Sequence, residues 1–159
     1  TIAFWKTHWF IVVCFRSVPL DGGVSLCDRK RLTPEGKMQM FFDHVEYYVS
    51  DYENSLKFYS ACLAPLGFKL TTNNEKKGIF GFGLNTDKSD DLLLTAGAPT
   101  KPAMHICFSA KSKDQVDEFY RQAIMAGGIC NGPPGLRQEG YYAAFVRDPD
   151  GHNIEAVFR

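Results

Sequence analysis

From residue 40 onward the chain switches between two hydrophobic rhythms, and it does so twice. Phe41 to Ser50 has period two: Val45, Tyr47 and Val49 fall on one side and His44, Glu46 and Tyr48 on the other, the signature of a half-buried strand. Asp51 then suits a helix N-cap, and Leu56, Tyr59 and Leu63 follow helical spacing until Gly67, which predicts a helix to about Leu66 lying on the Val45 face. Short strands are predicted at Phe68 to Thr72, Gly78 to Leu84 and Asp91 to Ala96, with polar turns at Asn73 to Lys77 and Asn85 to Asp90. The same order recurs with a strand at Ala103 to Ser109 and a helix at Ser112 to Met125, closed by Gly127-Gly128. Strands follow near Ile129 to Asn131, Tyr141 to Arg147 and Asn153 to Phe158. Asp148-Pro149-Asp150-Gly151-His152 joins the last two as a tight turn.

The two passages are in register. His44 and His105, Phe58-Tyr59 and Phe119-Tyr120, and Gly67 and Gly128 are all separated by 61 residues, so strand, helix and helix end repeat together. This predicts an α+β fold of two βαβββ modules, about 41–97 and 103–159, forming a cup-shaped mixed sheet with the helices outside. Residues 1–39 read as an extension or linker outside the core. Their apolar run Trp9 to Phe15 is bracketed by Lys6, His8 and Arg16 and falls short of the ~20 apolar residues that span a bilayer. The folded domain is expected over 40–159.

Charge narrows the partners. Eighteen basic residues balance eighteen acidic ones with no basic cluster, which argues against nucleic acid and anionic membranes and for a small-molecule substrate. Five cysteines, odd in number and without CxxC spacing, suggest reduced thiols and a cytoplasmic protein.

Alternation then places the chemistry. His44 and His105 both face away from their helices, and Glu155 joins them if Ile154, Ala156 and Phe158 pack inward. Two histidines and one carboxylate form the ligand set of an open divalent metal site. Glu46, two residues after His44 on the same face, is a candidate general base or fourth ligand. Tyr48 and Cys107 are candidate pocket walls. Tyr141 and Tyr142 are two more, and being adjacent in a strand they point to opposite faces. Gly132-Pro133-Pro134-Gly135 reads as a rigid turn and Leu136 to Gly140 as a loop over the mouth.

At these residues the chain resembles the vicinal oxygen chelate superfamily, which includes glyoxalase I, extradiol dioxygenases and drug-resistance proteins. The resemblance runs from about Met40 to Arg159. It is most specific from His44 through Phe58-Tyr59 to Leu63-Ala64-Pro65-Leu66-Gly67-Phe68, and from Gly132 through Tyr141 to Val157. It implies metal ligands at His44, His105 and Glu155, one divalent ion (Zn, Ni, Mn or Fe) and a homodimer. It also implies a metal-dependent lyase or isomerase of glyoxalase type acting on a small oxygen-chelating substrate. The alternatives are a metal-free binding or resistance protein, and a ferrous-iron dioxygenase of extradiol type. The first-module counterpart of Glu155 is Leu94, which cannot bind a metal, so the chain departs from the four-ligand pattern of glyoxalase I at that position, and a fourth ligand would have to come from Glu46.

Overall fold

The computed structural model describes residues 12–14, 43–84 and 90–159. The predicted turn at residues 85–89 and the first two residues of the predicted opening strand lie outside them. The first module runs through β2 (Val45–Val49), α1 (Tyr52–Leu63), β3 (Lys69–Asn74), β4 (Ile79–Gly83) and β5 (Leu92–Ala96). The second runs through β6 (His105–Ser109), α2 (Lys113–Met125), β7 (Ile129–Gln138), β8 (Tyr141–Arg147) and β9 (Asn153–Phe158). The order βαβββ therefore holds in both halves. A further strand, β1 (Val12–Cys14), comes from the N-terminal segment, and its backbone pairs in parallel with His105–Cys107 at the edge of β6.

The helix signals act as expected. Asp51 accepts a hydrogen bond from the Asn54 amide at 3.0 Å, and Ser112 accepts one from Gln115 at 3.2 Å, each satisfying an otherwise orphaned donor in the first turn. α1 tightens into a 3-10 turn over Ala64–Leu66, and Gly67 ends it at φ 92°, a left-handed conformation that favours glycine.

Each module builds its own mixed sheet, β2-β5-β4-β3 in the first and β1-β6-β9-β8-β7 in the second. In each, the opening strand pairs in parallel with the module's last strand and the module's other pairs are antiparallel, while β1 adds a second parallel pair at β6. This confirms the α+β class and the two-module plan. Among the described residues both sheets are open, and no ladder joins β2 to β6.

One core connects the modules. Tyr47, Val49, Phe58, Leu63, Phe80 and Leu94 from the first cluster with Ile106, Phe119, Val146, Ile154 and Ala156 from the second. The helix-facing sides of both sheets thus merge, and the histidine-bearing sides are left facing away from this core. The β8–β9 turn fastens the halves together. Tyr47 donates to the Tyr59 hydroxyl at 2.6 Å, which donates to Asp148 Oδ2 at 2.6 Å. The Ser50 amide donates to Asp150 Oδ2 at 2.9 Å.

Two local expectations change. The opening strand of the first module starts at Val45, so His44 stands just ahead of it. The predicted Gly132–Gly135 turn and the loop beyond it are instead part of β7, which runs unbroken from Ile129 to Gln138 against β8 with several register shifts. The glycines and prolines act here as bulge residues in an edge strand, a position where a missing N–H costs no ladder bond.

Candidate metal and substrate site

The outward face of the second sheet gathers most of the predicted chemistry. β6 and β9 are parallel neighbours with Cys107 opposite Glu155, while β8 and β9 are antiparallel with Phe145 opposite Glu155. Period-two alternation along three adjacent strands therefore places His105, Cys107, Tyr141, Ala143, Phe145 and Glu155 on one surface. His105 Nε2–H donates to Glu155 Oε2 at 2.8 Å, and the Tyr141 hydroxyl donates to Glu155 Oε1. Both carboxylate oxygens are thus engaged, and Glu155 is only 2% exposed. Burial, and then the neighbouring carboxylate, push the Tyr141 phenol well above its usual range, so it remains a donor. A carboxylate held from both sides in this way is fixed in orientation, as a metal ligand or a proton acceptor needs to be.

The other predicted residues fall as follows. Cys107 is buried in a small satellite cluster with Ala143 and Val157, against which Tyr141 and Phe145 pack. Tyr142 turns to the opposite face, where its hydroxyl donates to Asp117 of α2 at 2.8 Å, so Tyr141 is the one that stands beside the His105–Glu155 pair. His44, Glu46 and Tyr48 lie on the first module and are exposed, Tyr48 to 48%. His44 Nδ1 bonds the Asp43 carboxylate at 2.9 Å, which raises the imidazole pKa. Glu46 accepts from Thr95 Oγ1 at 3.0 Å. Among the described residues no three His, Cys, Asp or Glu side chains are grouped to hold a metal. One chain brings together His105 and Glu155 and leaves His44 apart from them.

Sequence reasoning treated Asp148 and His152 only as turn residues. They are buried at 2% and 0% exposure. Asp148 Oδ1 accepts from the His152 amide at 2.7 Å and the Asp150 amide at 3.0 Å, while Oδ2 takes the Tyr59 hydroxyl. Burial raises the Asp148 carboxyl even so. His152 Nδ1 accepts from the Met104 amide at 3.0 Å, and its buried Nε2 has no hydrogen-bond partner. The spacing to Phe58-Tyr59 gave no hint that this turn meets α1. Phe145, on the site face, was also missed, although alternation from Tyr141 would have placed it there.

A two-module βαβββ fold, with a histidine and a glutamate paired on the parallel first and last strands of the second module, places the chain among small α+β proteins built from a repeated module. Residues 41–156 match the sequence profile of the Glyoxalase/Bleomycin resistance protein/Dioxygenase superfamily, and the chain belongs to that superfamily. An uncharacterized protein from Bacillus subtilis, YqjT, is 31% identical over 126 residues, covering 72% of this chain and 95% of its own. Among solved structures, a glyoxalase/bleomycin resistance protein from Albidiferax ferrireducens aligns with a TM-score of 0.62 at 32% identity, over 76% of this chain and 99% of that one. A lactoylglutathione lyase from Agrobacterium tumefaciens aligns at 0.54 and 19% identity, over 73% and 91%, a likeness of fold alone. No helix among the described residues is long and apolar enough to cross a membrane.

Proposed function

We propose that the protein is a metal-dependent cytoplasmic enzyme of glyoxalase type, a lyase or isomerase acting on a small oxygen-chelating substrate, in which His105 and Glu155 supply two ligands to one divalent ion. The observation that carries the reading is the 2.8 Å pair between His105 Nε2 and a Glu155 carboxylate that Tyr141 also holds. An imidazole and a buried carboxylate on neighbouring parallel strands are the donor types of an open site for Zn, Ni, Mn or Fe. Such an ion, when bound, polarises substrate oxygens and stabilises an oxyanion.

The third ligand is His44 of a second copy. Within a chain the histidine-bearing faces point away from the shared core, so the exposed His44 and Glu46 of one chain are available to the His105–Glu155 face of another. Because β1 already covers the β6 edge, the second copy meets that face rather than extending its ladder. The proposed assembly is a homodimer with two such composite sites. Glu46 enters the site with His44, where its role is to move a proton at the substrate carbon or oxygen.

The chain's own residues then divide the work. Tyr141 orients Glu155, Cys107 and Phe145 close the wall, and Glu46 acts as the base. Metal content of the purified protein, after titration with each of the four ions, tests the reading. Glu155→Gln should weaken retention by at least about tenfold, since the assigned anionic ligand is lost. Unchanged content in that variant would remove the ligand assignment. Glu46→Gln should keep its metal and lose turnover, with kcat and kcat/KM falling together. Lost metal in that variant would make Glu46 a ligand instead of a base.

A second reading, a metal-free binding protein, is favoured by one observation: no single chain groups three ligands among the described residues. Parent protein that retains none of the four ions would decide for it.

A further inference from the structure

We propose that Arg137 and Arg159 form an oxyanion subsite on the outward face of the second module, so that the substrate carries a carboxylate, phosphate or phosphonate group beside the His105–Glu155 pair. This deepens the function proposed above by naming the charge of its substrate, but it rests on separate residues. The Arg137 guanidinium lies over the Phe145 ring at 5.1 Å, and that ring packs edge-on to His105 with centroids 6.2 Å apart. The Arg159 guanidinium lies over the Tyr141 ring at 4.8 Å, and Tyr141 bonds Glu155. Each arginine is thus one aromatic ring away from the pair, and both rings belong to β8, the neighbour of the strand that carries Glu155.

The Arg137 position is built rather than incidental. Its Nη2 donates to the carbonyls of Pro133 and, at 3.2 Å, Ala143, which fixes the plane of the guanidinium over the ring. Gly132 leaves the space: a Cβ there would stand 3.0 Å from Phe145 Cδ2 and 3.3 Å from Arg137 Nη2. The remaining Nε–H and Nη1 donors of Arg137 have no acceptor among the described residues. Neither arginine forms an ion pair with a carboxylate there, whereas Arg121 is paired with Glu118 at 2.5 Å.

Charge is also concentrated on this face. The chain as a whole is balanced, eighteen against eighteen, yet this sheet surface carries Arg137, Arg147 and Arg159 against Glu155, whose two oxygens are already occupied. Arg147 is turned toward Asn131 at 3.3 Å, whereas Arg137 and Arg159 rest on the Phe145 and Tyr141 rings and have no ion-pair partner among the described residues. A stacked guanidinium is pre-oriented, and its fork matches a carboxylate or phosphate in two parallel hydrogen bonds.

Inorganic phosphate, added to the full metal-free chain at low ionic strength, tests the subsite through the arginine Nε–Hε signals in nitrogen-15 spectra. Saturable shifts are expected at Arg137 and Arg159, with Arg121 and Arg147 moving little. Arg137→Gln and Arg159→Gln should each weaken the midpoint about tenfold and the double variant should abolish saturation, while Arg137→Lys should be intermediate because it keeps charge but not the fork. Methylphosphonate and acetate should reproduce the pattern. Equal drift of all arginines, or saturation that survives in the double variant, would overturn the proposal. So would phosphate binding that persists while the variants lose their dimer in sedimentation, which would assign the arginines to contact with a second copy. Metal content measured on the same samples keeps the two readings apart: phosphate binding without metal retention sinks only the enzyme reading, and metal retention without saturation sinks only the subsite.

Discussion

Asp148→Ala should destabilise the protein by about 3–5 kcal/mol and lower Tm by roughly 10 °C, although the residue lies in a turn between two strands. Three donors converge on its carboxylate: the Tyr59 hydroxyl at 2.6 Å and the amides of Asp150 and His152 at 3.0 and 2.7 Å. Alanine would leave all three without an acceptor in a place where Asp148 itself is 2% exposed. It would also cut the chain of hydroxyls from Tyr47 that ties β2 and α1 to the second module. Tyr59→Phe should cost less, about 1–2 kcal/mol, because the two amide donors keep their acceptor. Asp148→Asn should lie between them, and pH adds a check. Burial raises the Asp148 carboxyl in the folded protein, so its contribution to stability is full below the ordinary carboxylate range near ~4 and is lost as pH rises through the raised value. The advantage of the parent over Asp148→Asn should therefore shrink as pH rises. Thermal or urea unfolding of the four proteins measures this, and an Asp148→Ala variant as stable as the parent would show that the turn does not clamp the modules.

Two defective variants should restore each other. In the proposed dimer, each metal site takes His44 from one chain and His105 with Glu155 from the other. His44→Ala alone spoils both sites, and so does Glu155→Gln alone. A mixed dimer has one site with both defects and one with neither. Random association makes half the dimers mixed, so co-expressed variants should recover about a quarter of the parent's tightly held metal and turnover. A site lying within one chain would recover nothing, because every chain in the mixture carries a defect. The difference between a quarter and zero is large enough to read by metal analysis. Failure to recover in a sample that sediments as a mixed dimer would reject the shared site.

The contrast between a legible module and an illegible assembly has a physical origin. Strand alternation and helix spacing are local: Val45, Tyr47 and Val49 had to share a face, and Glu155 had to share one with Val157, whatever the rest of the chain did. The 61-residue register then paired His44 with His105 as equivalents. Equivalence in a repeat is not proximity. Whether two equivalent strands meet edge to edge or their modules pack through their helices depends on which apolar faces bury more area together, and both arrangements use the same pattern. The Gly132-Pro133-Pro134-Gly135 stretch is a similar case. Its turn-forming residues are compatible with a bulged edge strand, and only the pairing with β8 selects that outcome.

By itself, then, the sequence determined the two βαβββ modules, their helix caps, the β8–β9 turn and the faces on which His44, His105, Glu46, Cys107, Tyr141 and Glu155 lie, because each depends on residues a few positions apart. Only the tertiary structure decided that His105 and Glu155 touch while His44 stands elsewhere, that Asp148 is a buried acceptor for α1, and that Arg137 and Arg159 rest on the rings beside the pair. Contacts such as Tyr141 with Glu155 and Tyr59 with Asp148 join residues 14 and 89 positions apart in the chain. Their partners are chosen by packing across sheets and modules, which no local periodicity encodes.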